Sequence, residues 1–206
     1  MGSLRQRGLA WMMAKGTARY EQMVAPRKQS LLREASGRVV EIGAGTGPNL
    51  PYLHAAKSYL AVEPNPYMHP YLEARIAREG IPGVVEPSTA EQALSAMPAE
   101  SVDAIVSTLL LCSVADPAAL LALTLRVLKP GATLLFLEHV GAKRGSPLCA
   151  CQHLVSPFFR LVADGCRPTR DTAGILRKAG FPHLELEEFT LPLGPISPHI
   201  CGYATK

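Results

Sequence analysis

Apolar positions in this chain fall into short runs, and between the runs lie stretches with helical spacing. Val39, Val40 and Ile42 make the first run, and residues 58–63, 83–86, 102–107 and 132–138 repeat it. Apolar runs of this length, bounded by turn formers, read as buried strands. Residues 65–79 and 117–128 carry helical spacing and are closed by Gly80 with Pro82 and by Lys129-Pro130-Gly131. A shorter helix is expected over 48–56, opened by Pro48. Thr169 is placed to cap a helix that runs to Ala179 and is closed by Gly180. Residues 184–190 and 200–205 read as two final strands, paired antiparallel at a sheet edge. The repeated strand–helix order predicts right-handed crossovers and a Rossmann-like α/β fold. Its sheet is expected to be seven-stranded and mostly parallel, with helices on both faces and an antiparallel C-terminal edge.

Two segments stand outside this alternation. Residues 9–35 read as one or two helices interrupted at Pro26, with Met13, Tyr20, Met23 and Val24 facing inward. Residues 1–35 would then be an N-terminal helical cap, either a lid over a substrate or a cover for the sheet, ahead of one domain at 36–206. Residues 141–168, punctuated by Pro147, Pro157 and Pro168, form an insert expected to cover substrate.

The first strand runs into Gly43, Gly45 and Gly47. Alternate glycines let the backbone turn sharply and approach a ligand closely. At the carboxyl end of a parallel strand such a turn is a nucleotide-type site. The dinucleotide fingerprint G-x-G-x-x-G does not fit, because Pro48 stands where its third glycine belongs, and no Gly-Lys-Ser/Thr marks a P-loop. Glu41, just before the turn, is better suited to a cofactor with a cationic centre than to a pyrophosphate. Glu63 ends the second strand sixteen positions after Gly47, where a carboxylate can accept hydrogen bonds from both ribose hydroxyls. Thr89, Ala90 and Glu91 lie in a loop that could wrap an adenine, or they begin a capped helix.

Charge and cysteine content narrow the picture. The chain has 206 residues and a net charge of +4, with the basic excess concentrated in residues 1–38. That front is either a solvated helix face or a contact for an anionic membrane surface. Basic residues are not interleaved with stacking aromatics, which argues against a nucleic-acid substrate. The apolar stretch 104–125 is cut by Asp116-Pro117, so no transmembrane segment is expected. Five cysteines suggest free thiols in a reducing, cytoplasmic compartment. Cys149, Cys151, His153 and Cys166 do not follow a zinc-binding spacing, and no metal is expected.

Taken together, the segments Glu41-x-Gly-x-Gly-x-Gly47, Glu63-Pro-Asn-Pro66, Leu111-Cys-Ser-Val114, Arg126-Val-Leu-Lys-Pro-Gly131, Glu138-His-Val140, Asp164-Gly-Cys166, Thr169-Arg170 and Pro198-His-Ile-x-Gly202 resemble a known family. It is the methyltransferase-like family within the class I S-adenosylmethionine (SAM) methyltransferases that includes the alkyl thiol S-methyltransferases. The likeness spans residues 16–206, and the narrower segments after Glu63 carry it. It departs in three places. Family members have a hydrophobic N-terminal anchor that is not seen here, which implies a cytoplasmic or peripherally attached protein. Their acid at the ribose position is Asp, here Glu63, and their Pro-Gly-Gly is here Pro130-Gly131-Ala132.

The resemblance implies methyl transfer by in-line displacement to a small-molecule acceptor, foremost a thiol, with S-adenosylhomocysteine as product. The cofactor would be held by Glu41, Gly43, Ala44, Gly45, Gly47 and Asn49, by Glu63 and Pro64, by Thr89, Ala90 and Glu91, and by Ser107, Thr108 and Leu109. His139, Asp164 and His199 are the candidate catalytic bases; Tyr20, Cys112 and Cys166 are candidate substrate contacts. Two alternatives stay open: methylation of oxygen, nitrogen or carbon on a natural product or lipid, and a non-catalytic SAM-binding interaction module. Oligomeric state is not encoded in any of these features.

Overall fold

The computed structural model describes residues 2–206. Two helices, α1 (Gly2–Gly16) and α2 (Ala18–Leu32), precede β1 (Gly37–Ile42) and β2 (Ala56–Val62). Then come α3 (His69–Glu79), β3 (Gly83–Glu86), α4 (Ala90–Ala96), β4 (Val102–Thr108), α5 (Pro117–Val127) and β5 (Leu128–His139). The chain closes with α6 (Pro147–Val162), α7 (Thr172–Arg177), β6 (His183–Thr190) and β7 (Pro198–Thr205).

The sheet has seven strands in the order β3-β2-β1-β4-β5-β7-β6. β1 pairs in parallel with β2 and β4, and β5 with β4, whereas β7 runs antiparallel between β5 and β6. This is the expected mostly parallel seven-stranded sheet with an antiparallel C-terminal edge. Strand order reverses at β1, between β2 and β4, so a crevice opens above their carboxyl ends.

Side-chain alternation divides the core between the two faces. Val40, Ile42, Ile105 and Phe136 pack with α4, α5 and α7 on one side. Val39, Ala61, Ala104 and Val106 pack with Leu32 at the end of α2 and with Leu72 and Ile76 of α3 on the other. Both faces of the central strands are therefore covered, which explains their continuous apolar runs.

Three local expectations are corrected. The N-terminal helices break at Thr17, not at Pro26; Pro26 lies inside α2, which stays helical because Val24, Lys28 and Leu32 bury one of its faces. Residues 48–56 form a single 3-10 turn, Leu50–Tyr52, and Ala56 already belongs to β2, because Leu50 and Leu53 must turn inward beside the glycine loop. The helix after the insert is capped by Asp171, which accepts from Gly174 N, and not by Thr169.

Candidate active site

The glycine turn is held from below. Gly43, Gly45 and Gly47 have φ of +70°, +57° and +78°, left-handed values that strain any residue with a Cβ. Gly43 N and Ala44 N donate to Val62 O at 2.9 and 3.1 Å, tying the turn to the end of β2. Glu41 shares the face of Val39 and is buried under α2. Its Oε1 accepts from Asn49 Nδ2 at 2.7 Å and its Oε2 from Tyr59 Oη at 2.6 Å. Asn49 Nδ2 also donates to Thr108 Oγ1 at 2.8 Å, so Glu41, Asn49 and Thr108 brace β1, the turn and β4 as one unit. Burial pushes the Glu41 carboxyl up to about 7, against the two hydrogen bonds and the nearby Lys28.

Glu63 sits at the open side of the same turn. Its Oε2 accepts from Gly45 N at 2.9 Å and its Oε1 from Asn65 N at 2.8 Å. Burial raises its pKa, and those two N–H groups oppose the rise. An ionised carboxylate has about four acceptor positions, so both oxygens keep capacity for a diol. Pro64 is exposed next to it. Thr89 caps α4 in a full capping box with Gln92 and presents the buried Ala90 and the partly buried Glu91 at the edge of the crevice. Leu109 has φ +55°, a rare value for a bulky residue, at the end of β4. A pre-shaped glycine cradle, a carboxylate beside it and a strained strand end fit the adenosine and methionine parts of SAM.

At the end of β5 the polar groups are buried. Glu138 Oε1 accepts from Ser107 Oγ at 2.9 Å and from Leu110 N and Leu111 N at 3.1 Å each; burial raises its pKa against those bonds. Ser107 thus faces Glu138 across the β4–β5 pair. His139 Nε2 lies 3.0 Å from Cys166 Sγ. Cys112 is beside them: the neighbouring Cys166 and burial push its thiol up, and the same contact lowers Cys166. The His199 ring stands 6.3 Å from that of His139 and 5.8 Å from that of Tyr20. Burial drives His199 down to about 4, so it is neutral at physiological pH. Tyr20 Oη, His139 Nδ1, His199 Nε2 and Glu138 Oε2 are buried without a hydrogen-bond partner.

The structure therefore brings Tyr20, Cys112, His139, Cys166 and His199 together, but not Asp164. Asp164 is exposed at the crevice edge and pairs with Arg5 of α1 at 3.1 Å. From there α1 crosses the glycine turn: Asn65 Nδ2 donates to Gln6 O at 3.1 Å, and a Cβ on Gly45 would meet Met13 Cε at 3.2 Å. α6 is pinned by its one buried residue, Gln152, which donates to Val140 O and Pro195 O and accepts from Ala142 N. Glu138, Gln152 and Arg170 escaped the reading of the sequence as site residues. An acid closing an apolar strand was the signal for Glu138. Arg170 was marked only as part of the segment Thr169-Arg170 and Gln152 by nothing local, since their partners are 10 to 59 residues away. A concavity of about 800 Å³ lies instead beside α2 and β6–β7, lined by Arg27, Glu34 and Tyr203, away from these groups.

Fold and site together define a SAM-dependent methyltransferase. Comparison with known proteins agrees: the family described as "Methyltransferase domain" matches residues 40–136. A SAM-dependent methyltransferase from Thermotoga maritima superposes with a TM-score of 0.66 at 22% identity, covering 94% of each chain. The [4+2]-cyclase SpnF does so with a TM-score of 0.68 at 17% identity, covering 91% of this chain and 80% of its own. At these identities the likeness is one of fold, and the cyclase shows how far chemistry varies on it. Thiol S-methyltransferase TMT1B of Rattus norvegicus is 32% identical over 95% of this chain and 85% of its own length. Thiol S-methyltransferase TMT1A of Homo sapiens is 31% identical over the same shares. The chain belongs to the thiol S-methyltransferase family. Among the described residues, no helix is long and apolar enough to cross a membrane.

Proposed function

We propose that this chain S-methylates a small thiol at the end of the crevice formed by Tyr20, Cys112, His139, Cys166 and His199. The observation that carries the reading is the set of four buried, unpartnered polar atoms there, in a chain whose relatives are named thiol S-methyltransferases. Buried polar atoms without partners are costly and mark a place where a ligand completes the bonding. SAM, when bound, supplies an electrophilic methyl group on a sulfonium sulfur. Gly43, Ala44, Gly45 and Gly47 give it close backbone approach, Glu63 takes the ribose hydroxyls and Thr89 to Glu91 border the adenine. Ser107 to Leu109 line the methionine end, and Glu41 and Asn49 hold the turn in shape. His199 Nε2, on a neutral imidazole, is free to accept the thiol proton. A thiol with pKa about 8.5 is already partly ionised near neutrality and needs only that modest help. Orientation supplies most of the rest, about 7–11 kcal/mol for well-aligned reactants.

α1 and α6 act as a cover over the crevice and keep water out, with residues 1–35 as cap and 141–168 as the substrate-covering insert. Five free cysteines suit a reducing, cytoplasmic setting. Exposed Trp11 and Met12 on α1 and Phe158 and Leu161 on α6, beside Arg5 and Lys15, suit peripheral contact with an anionic membrane. The test of function is methyl transfer from labelled SAM to alkyl and aryl thiols, phenols and amines. Transfer to thiols alone is expected; transfer to phenols or amines with none to thiols overturns the acceptor.

A further inference from the structure

Two buried cysteines and a buried histidine meet where three segments converge: Cys112 follows β4, His139 ends β5 and Cys166 follows α6. Their ligand atoms all lie within 4.8 Å of one another, the one such group among the described residues. Exposure is 1% for Cys112, 4% for His139 and 6% for Cys166. In a tetrahedral zinc site, with bonds of about 2.0–2.3 Å, ligand atoms stand about 3.3–3.8 Å apart. The cluster is thus within about an ångström of that geometry, a small side-chain adjustment.

The supporting backbone is fastened independently of any ligand. Arg167 N donates to Cys112 O at 3.0 Å, joining the two cysteine-bearing loops. The Arg170 guanidinium donates to Leu111 O and Val114 O at 2.5 and 2.7 Å, bracketing Cys112. Ligands carried on a braced frame hold a metal with little reorganisation. Charge agrees as well: two thiolates balance one divalent cation, so the site holding the cation alone is neutral, as its burial demands.

We propose that Cys112, His139 and Cys166 form a three-ligand site for a thiophilic divalent cation, Zn²⁺, with the fourth position left for the acceptor thiol. Three protein ligands and one open position is the arrangement of a catalytic rather than a structural zinc site. The role of the open position rests on the thiol reading above. The acceptor R–SH passes its proton to His199 Nε2, which has no other partner, as its sulfur takes that position, because a coordinated thiol is held as thiolate. A lone pair on that sulfur then forms the new S–CH₃ bond while the methyl–sulfonium bond breaks, its electron pair staying on the departing thioether. Zinc gains and loses no electrons, and the methylated product, a neutral thioether, is a weak ligand that leaves.

The experiment uses full-length, untagged protein purified with Zn²⁺ in the growth medium. Bound zinc is counted by mass spectrometry after gel filtration, and the stripped protein is reloaded with Co²⁺ to read thiolate-to-metal absorption in the near ultraviolet. One zinc per chain and a strong thiolate band are expected. The Cys112→Ser/Cys166→Ser variant is expected to bind zinc at least about 100-fold more weakly, with SAM binding by calorimetry confirming its fold. Should that variant not fold, protection of Cys112 and Cys166 from iodoacetamide by Zn²⁺ in the wild-type chain replaces it, and protection is expected. Sub-stoichiometric zinc, no thiolate band, equal affinity in the variant or no protection overturns the site. Full-rate thiol methylation by metal-stripped protein overturns its catalytic role. Stoichiometric zinc with no thiol methylation upholds the site and sinks the acceptor assignment instead.

Discussion

Replacing Glu63 with Ala probes the cofactor site at its most specific point. In the ligand-free chain the carboxylate accepts from Gly45 N and Asn65 N at 2.9 and 2.8 Å, and it is buried. Removing it leaves two backbone donors without a partner, at about 1–3 kcal/mol each. A loss of about 2–6 kcal/mol lowers the melting temperature by about 4–24 °C in a domain of this size. The ribose hydroxyls add a separate loss on binding. One charge-assisted hydrogen bond contributes about 1.5–3 kcal/mol, so losing two weakens SAM by at least about 100-fold. Calorimetric titration with SAM and with S-adenosylhomocysteine, at a temperature well below the lowered melting point, separates the two effects. Glu63→Asp keeps the charge on a shorter arm and is expected to recover most of the affinity. Glu63→Ala protein that binds SAM within about threefold of wild type refutes the assignment of Glu63 to the ribose.

Glu41→Gln tests the buried brace through pH. The Glu41 carboxyl is raised from 4.5 to about 7 in the folded chain. The native state therefore holds a proton that the unfolded state has released, and this group makes stability fall as pH rises from about 4.5 to 7, by about 3 kcal/mol. Urea unfolding at pH 5 and pH 8 should show that decline in wild type and a correspondingly flatter profile in the variant; equal profiles would rule it out. Tyr20→Phe removes a buried hydroxyl that has no partner. Its melting temperature should hold or rise while kcat/KM for thiols falls about tenfold; lost stability with unchanged kinetics would assign Tyr20 to the core alone. Gly47→Ala places a Cβ 2.7 Å from Leu50 Cδ1 at φ +78°. It should cost about 1–3 kcal/mol of stability by chemical unfolding, and a neutral result would contradict the left-handed turn. Flotation with anionic vesicles should recover the wild-type chain and much less of Trp11→Ser/Phe158→Ser, and equal recovery would remove the membrane contact.

The alternation of strands and helices, the glycine turn and the acid that follows it are all legible in the amino-acid order. Each depends on residues close together in the chain: an apolar run, three alternating glycines, a carboxylate one strand later. The parallel direction of the strands followed, because parallel strands joined by helices cross over with one hand; their order in the sheet did not. Element ends were less legible. Pro26 would end an isolated helix, yet burial of Val24, Lys28 and Leu32 carries α2 through it. Glu41 looked like a partner for the cofactor's positive centre. Packing of α2 over its face of the sheet turned it toward Tyr59 and Asn49. Only the tertiary structure assembled the acceptor end. Cys112, His139 and Cys166 are separated by 27 residues at each step, and Tyr20 lies far upstream. They meet because β4 and β5 are neighbours whose carboxyl ends share one edge, and because α6 folds back over that edge. No local pattern encodes such a meeting, since it is the sheet's strand order that sets which ends lie side by side.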